Sequence, residues 1–246
     1  LMLVNPLTYG VSAMRRLFYD QPLAGEPPFG VSLAVVVAFA FAMAAAGTAI
    51  GSYTEAYEFR SETLRNTREM IEAAGIRGTR SMPIERTRDG LSRISGGLSF
   101  HASPSMLDLV LPRIMGAAES SDLFSVAETL PEFDVLIDRV AKRFVYAGCR
   151  VGRATFRATA GGALELDLEV TGKSETVSAT AFPAITAPTD PPYIWSDAVC
   201  TIEGTARTVT QWELSIDNQL NARFSNSVTA TDIHTQGRVV TVTLTV

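Results

Sequence analysis

Charge is absent from one long stretch of this chain: no residue between Pro27 and Thr54 is charged at neutral pH. Other residue types are scarce throughout. Lys142 and Lys173 are the only lysines, His101 and His234 the only histidines, and Cys149 and Cys200 the only cysteines. So few histidines and cysteines leave no pair at metal-ligand spacing. A Ser-His-Asp arrangement needs a histidine held by a carboxylate near a nucleophile. Both histidines lie among small polar residues, and no GxSxG elbow or GxxxxGK[ST] loop occurs anywhere. Nothing therefore points to an active site or a cofactor. The cysteines lie among strand-like residues, where a buried free thiol is commoner than a disulfide, although one bridge is conceivable.

The uncharged stretch holds Val31 to Ile50, VSLAVVVAFAFAMAAAGTAI. A helix of that length rises about 30 Å, the thickness of a bilayer's hydrocarbon core. A transmembrane-type helix over 31–50 is the expectation, with a buried core helix as the alternative. The preceding Asn5 to Pro28 is too long and too rich in proline for a signal peptide. Leu1 and Val246 both look like cut ends, since Val246 falls within an alternating run.

From Glu55 onward charges are frequent. The formal net charge of −5 belongs to this part, because Arg15 and Arg16 balance Asp20 and Glu26. A mildly acidic domain is a poor fit to sequence-independent nucleic-acid binding over its whole surface. Tyr57, Leu64, Met70 and Ile71 have helical spacing in places. Leu98, Phe100 and Ala102 alternate with Ser99 and His101 as in a half-buried strand. Ser103-Pro104 reads as a helix start with a capping hydroxyl, with Met106, Leu107, Val110 and Leu111 near one face and Pro112 and Gly116 at its end. A second β section opens near Phe133, and alternation dominates from about Arg143. Leu164, Leu166, Leu168 and Val170 share one face; Glu165, Asp167 and Glu169 share the other. Trp212, Leu214 and Ile216 repeat the pattern, as do Val240, Val242 and Leu244. The expected fold is mainly β, an antiparallel β-sandwich or barrel with a short α-helix, in residues 53–246. Residues 1–52 form a separate segment.

Two resemblances bear on these parts. Asn5 to Arg15, NPLTYGVSAMR, resembles the stretch before the last membrane helix of ABC-2 type transporter permeases. It covers only this segment, which lacks the family's preceding helices and reads as a fused gene fragment. Residues 53–246 resemble phage major tail tube proteins. The passages are GIRGTRS (75–81), PSMLDLVLPRIMG (104–116), LPEFDVLID (130–138), YAGCRVGRATF (146–156), LELDLEVTGK (164–173), FPA (182–184), PPYIWSDA (191–198) and SIDNQL (215–220). No single passage is diagnostic; their order and spacing carry the likeness. The resemblance implies a structural subunit of the virion tail. It implies hexameric rings stacked into a tube, contact with other tail proteins, and passage of DNA without sequence-specific binding.

Two side-chain groups are candidates within that reading. Arg77, Arg80, Arg86, Arg88 and Arg93 cluster within a short stretch of sequence. Phosphate contact is one role for them; pairing with acids on a neighbouring subunit is favoured in a chain of net negative charge. The acidic face of Glu165, Asp167 and Glu169 is either a solvated sheet face or the lining of a DNA channel. Two rival functions remain: a membrane-anchored β domain for surface display or adhesion, and a fragment of an ABC-2 permease. In both, membrane contact would run through residues 31–50.

Overall fold

The computed structural model describes residues 41–45, 53, 56–72, 86–120, 123–139, 142–179 and 188–245. The first strands are β1 (Phe41–Ala45), β2 (Ala56–Tyr57), β3 (Ser61–Glu62), β4 (Arg65–Glu72) and β5 (Thr87–His101). Helix α1 (Pro104–Met115) follows, then the hairpin β6 (Gly116–Ser120) and β7 (Leu123–Val126). Next come β8 (Phe133–Asp138), the long β9 (Arg143–Thr159), β10 (Glu165–Gly172) and β11 (Ser174–Ser178). The chain continues through two short strands, β12 (Cys200–Ile202) and β13 (Thr205–Arg207), to β14 (Gln211–Asp217). A hairpin of β15 (Leu220–Arg223) and β16 (Asp232–Thr235) precedes the last strand, β17 (Val239–Thr245).

Strand β9 organises the sheet. Its first half pairs with β8 on one side and β11 on the other. Its second half pairs with β10 and β14. The registers shift by one residue between Phe133 and Val135 and again between Glu169 and Val170. Each shift puts an extra residue on β9, and a bulged strand bends and twists more strongly. Gly148 lies in the first bulge at φ +61°, where a side chain would be strained. The bends divide the sheet into two halves that share β9. One runs β2-β1-β8-β9-β11; the other runs β17-β14-β9-β10-β5, with β3 and β4 along the far side of β5.

The apolar alternation places one core between these elements. Leu98 and Phe100 from β5, Leu166 and Leu168 from β10, and Phe133, Val135 and Ile137 from β8 are buried in it. Met106, Val110 and Ile114, four residues apart on α1, cover it. Each such side chain contributes about 1.5–3 kcal/mol by leaving water. Asn218, itself buried, donates from Nδ2 to the carbonyls of Ile114 (3.2 Å) and Val151 (3.1 Å). Arg238 donates from Nη2 to Met115 O (3.3 Å) and Ala127 O (3.1 Å), and from Nε to Asn218 Oδ1 (2.7 Å). The bonds to Ile114 O and Met115 O reach carbonyls that the end of the helix leaves free.

The structure corrects four expectations. Phe41–Ala45, inside the stretch expected to be a membrane helix, is strand β1 and pairs with β8 along its whole length. A short apolar run takes strand form where a partner strand such as β8 is available, and length alone misled. The rest of 31–50 lies outside the described residues, and among those described no helix is long and apolar enough to cross a membrane. The helical spacing around Tyr57 and Leu64 belongs to the short strands β2, β3 and β4. Pro112 lies inside α1 rather than at its end, and Gly116 ends it in the left-handed conformation. Ser103 makes no side-chain cap; Asp190 takes that place by accepting from Ser105 N at 3.0 Å. Hydrogen bonding to that N–H and to the hydroxyls of Ser103 and Ser105 holds the Asp190 carboxyl below the usual carboxylate range. Both cysteines are free thiols.

Gly96 tests the packing of β3 and β4 against β5. A Cβ there would overlap the backbone of Thr63 and Leu64, where the wholly buried Leu64 dips into the core. Gly96→Ala is expected to destabilise the protein by about 1–3 kcal/mol, as overpacking does. Urea denaturation followed by circular dichroism measures this, and an unchanged midpoint would contradict the close approach.

Candidate assembly face and sheet edges

The half of the sheet running from β17 to β3 has one face on the core and one face outward. Register fixes which residues are neighbours on the outer face. Glu165, Asp167 and Glu169 of β10 stand opposite Arg157, Thr155 and Arg153 of β9. Those in turn stand opposite Glu213, Ser215 and Asp217 of β14. On the other side, His101, Ser99 and Gly97 of β5 complete the rows. The three acids expected to share a face do so, with the leucines and valine of β10 buried beneath.

They are not bare carboxylates. Glu165 pairs with Arg60, Glu169 with Arg153 at 3.4 Å, and Asp167 accepts from the Ser99 hydroxyl. Arg153 also reaches Asp217 at 2.7 Å, and Arg157 reaches Glu213 at 2.8 Å. The result is a ladder of alternating sign in which four acids pair with Arg60, Arg153 and Arg157, while Asp167 is held by Ser99. Sequence reasoning missed these arginines, although a signal existed. Counting back across the Gly161-Gly162 turn sets Arg157 opposite Glu165 and Arg153 opposite Glu169.

The expected arginine cluster is only partly described. Arg77 and Arg80 lie outside the described residues. Arg86 and Arg88 are exposed at the outer end of the β4–β5 hairpin. Arg93 lies further in, 3.4 Å from Glu69 and with its guanidinium 5.0 Å from the Phe224 ring centroid. Of the three described members, Arg93 is engaged within the chain.

Both sides of this half-sheet end in edges. Among the described residues, strand β17 pairs only with β14, and β4 only with β5. An unpaired edge leaves a row of N–H and C=O groups ready for another strand. The edge strand β17 also shows Val240 and Val242, 57% and 59% exposed. They lie opposite Ile216 and Leu214, on the core-facing side, where the covering stops short. Near this edge is a cleft of about 420 Å³ lined by Trp195, Val199, Cys200, Arg207, Trp212 and Leu244. Among the described residues no group of three His, Cys, Asp or Glu could hold a metal ion.

The chain belongs to the family described as phage tail tube protein, which it matches over residues 29–246. It is thus a structural protein of the virion tail. The match takes in most of the apolar run and lends no support to a permease. Among solved structures, the chain is similar to a sheath/tube terminator of the extracellular contractile injection system PVC. That likeness has 12% identity and a TM-score of 0.37 over 56% of this chain and 93% of that one. It is also similar to the tube-terminating cap of the anti-feeding prophage, with 13% identity and a TM-score of 0.38 over 66% and 99%. A third is the tail of an empty GTA particle, with 14% identity and a TM-score of 0.31 over 59% and 98%. No curated protein matched the chain.

The ladder has a pH signature. The hydrogen bond from Arg153, reinforced by one from the Gln219 N–H, holds the Asp217 carboxyl below its ordinary range. A depressed carboxyl stabilises the fold above the unfolded value of about 4, and that share is lost as pH falls through the lower folded value. Arg153→Met is expected to flatten the fall in stability between about pH 4 and pH 2. Urea midpoints across that range measure it; parallel curves for the two proteins would disprove the coupling.

Proposed function

We propose that this chain is a major tail tube subunit that closes into hexameric rings, stacked as a tube through which phage DNA leaves the capsid. The observation that carries this reading is the pair of edges left without a partner, among the described residues, at opposite sides of one polar-faced half-sheet. Six strand positions separate the outer limits: β17, β14, β9, β10, β5 and the β3–β4 side. Every step is antiparallel. An even number makes the first and last strands run in opposite directions. A head-to-tail repeat then continues the antiparallel alternation into the next copy, and such a contact closes into a ring when the rotation allows it. Membership of the tail tube family supports the same assembly.

In this reading the two halves sharing β9 serve as the layers of a β-sandwich. The face bearing Glu165, Asp167 and Glu169 lines the lumen, and arginines of the 77–93 cluster contribute at the joints. Residues 53–246 are the tube domain, which β1 extends forward to at least Phe41. Contacts with other tail proteins would fall at the ends of the tube. The membrane-anchored alternative required a helix through 31–50, which β1 interrupts.

The ring reading is tested by negative-stain microscopy and light scattering of the full chain. Rings or tubes are expected to accumulate with concentration; a monomeric mass over a wide concentration range would refute it. The lumen assignment is tested separately. Carboxylates repel phosphates within about 8 Å at physiological salt. Replacing Glu165, Asp167 and Glu169 by Lys is expected to leave tubes intact but make them retain DNA, with retention falling steeply as salt rises. Variant tubes that hold no more DNA than the parent at low salt would remove this face from the channel.

A further inference from the structure

Strands β4 and β5 pair from Arg65 and Ser95 out to Glu72 and Thr87. Strand β10 accompanies β5 only as far as Ile94. Beyond that point, among the described residues, the hairpin continues as an arm of two strands, whose base the 224–229 segment touches through a bridge from Ser92 to Thr229, a hydrogen bond from Ser92 N to Val228 O (2.7 Å) and the Arg93 guanidinium over the Phe224 ring. A two-stranded hairpin is marginal without something to pack on. The arm nevertheless exposes Met70 by 66% and Ile71 by 60%. Ile71 stands directly opposite Arg88, so apolar and cationic groups share a face. Arg68 is held by Asp89 at 3.0 Å and Arg93 by Glu69 at 3.4 Å. Arg86 and Arg88 have no ion-pair partner among the described residues.

The opposite edge has the complementary chemistry. A groove of about 310 Å³ runs between the end of β7 and the start of β17 and is lined in part by Val126, Glu128 and Val240. Val126 is 60% exposed, and Val240 and Val242 continue the apolar strip. Glu128 is exposed and has no ion-pair partner among the described residues. Arg238 also lines the groove, but its guanidinium donates to Met115 O, Ala127 O and Asn218. The carboxylate of Glu128 is left as the group seeking a counter-charge.

We propose that the β4–β5 arm of one copy docks into the β7–β17 groove of the next. Met70 or Ile71 covers Val240 and Val126, and Arg88 or Arg86 pairs with Glu128. This rests on the ring reading above and names its joint. A second copy is the occupant because arm and groove belong to opposite edges of one half-sheet. Five strand spacings, about 24 Å, separate them within a chain. Both also lie at the same end of the sheet, the end marked by Asp217 on β14 and Gly172 on β10. A rotation that brings one edge to the other therefore brings arm and groove level.

The test is a charge swap in the full chain, read by light scattering, negative-stain microscopy and thermal melts. Glu128→Arg and Arg88→Glu are each expected to raise the concentration for half-assembly by about tenfold. Melting should stay at the parental temperature, since both groups are exposed. Combining the two in one chain restores the pair at every joint, so assembly should return towards the parent. Single variants that assemble like the parent, or a double variant no better than the worse single, would overturn this joint while leaving the ring reading intact. A parent that never assembles overturns both. Unchanged rings that lose a different tail protein upon the swap would assign the groove to that protein instead.

Discussion

A strand that belongs to two halves of a sheet has to turn between them without orphaning its backbone, and β9 does this with one extra residue at each of two bulges. Other features gather at that corner. The buried Asp134 carboxylate accepts from Gly148 N at 2.9 Å, which takes up a donor that the ladder has released. The stem of Lys173 lies over Gly148, and its ammonium meets Glu132 at 2.6 Å. Glu132 also accepts from Arg150 at 3.0 Å, and Arg150 donates to Ile233 O. The β15–β16 hairpin is thereby tied to the bend. Cys149 is buried at the same place, and burial pushes its thiol well above the ordinary range, which keeps it an unreactive packing group.

The outer face of the second half owes its character to register. Single exposed ion pairs contribute at most about 1 kcal/mol, so the ladder of acids and arginines adds modestly to stability. Its larger effect is on alignment. A slip by one residue would turn every apolar residue of β10 outward and break the pairs across β9, β10 and β14 together. The same pairing moderates the field at the surface. Arg60, Arg153 and Arg157 offset part of the acidic charge, leaving a face that is polar and mildly negative. In a tube, such a wall would discourage phosphate from settling without presenting a high negative potential.

The edges stand apart from both of these features. A protein that functions alone would shield β17 with charge, a bulge or a covering loop. Here valines lie along it, and a protruding hairpin with its own exposed apolar residues lies along the other side. Surfaces of this kind are stable when they meet. In the proposed ring, assembly would draw on the places where the subunit's own described packing stops.

Much of the fold was legible in the chain. Period-two alternation identified β10, β14 and β17, together with the inner end of β5, because a half-buried strand must separate apolar from polar residues. The Gly116 stop and the Met106–Val110 face located α1. The acidic face of β10 followed from the same alternation. What sequence could not settle depended on contacts between distant segments. The apolar run through Phe41–Ala45 is compatible with a helix until β8 supplies a partner strand. The cap of α1 comes from Asp190, far along the chain, and its other end from Asn218 and Arg238. The arginines that neutralise Glu165 and Glu169 were visible as residues but not as partners, since pairing needs the register of a hairpin. Which edges stay open is decided last of all, because an edge is defined by the strand that is not there. Alternation is local and survives in one dimension; partnership, capping and exposure arise only once the chain has folded back on itself.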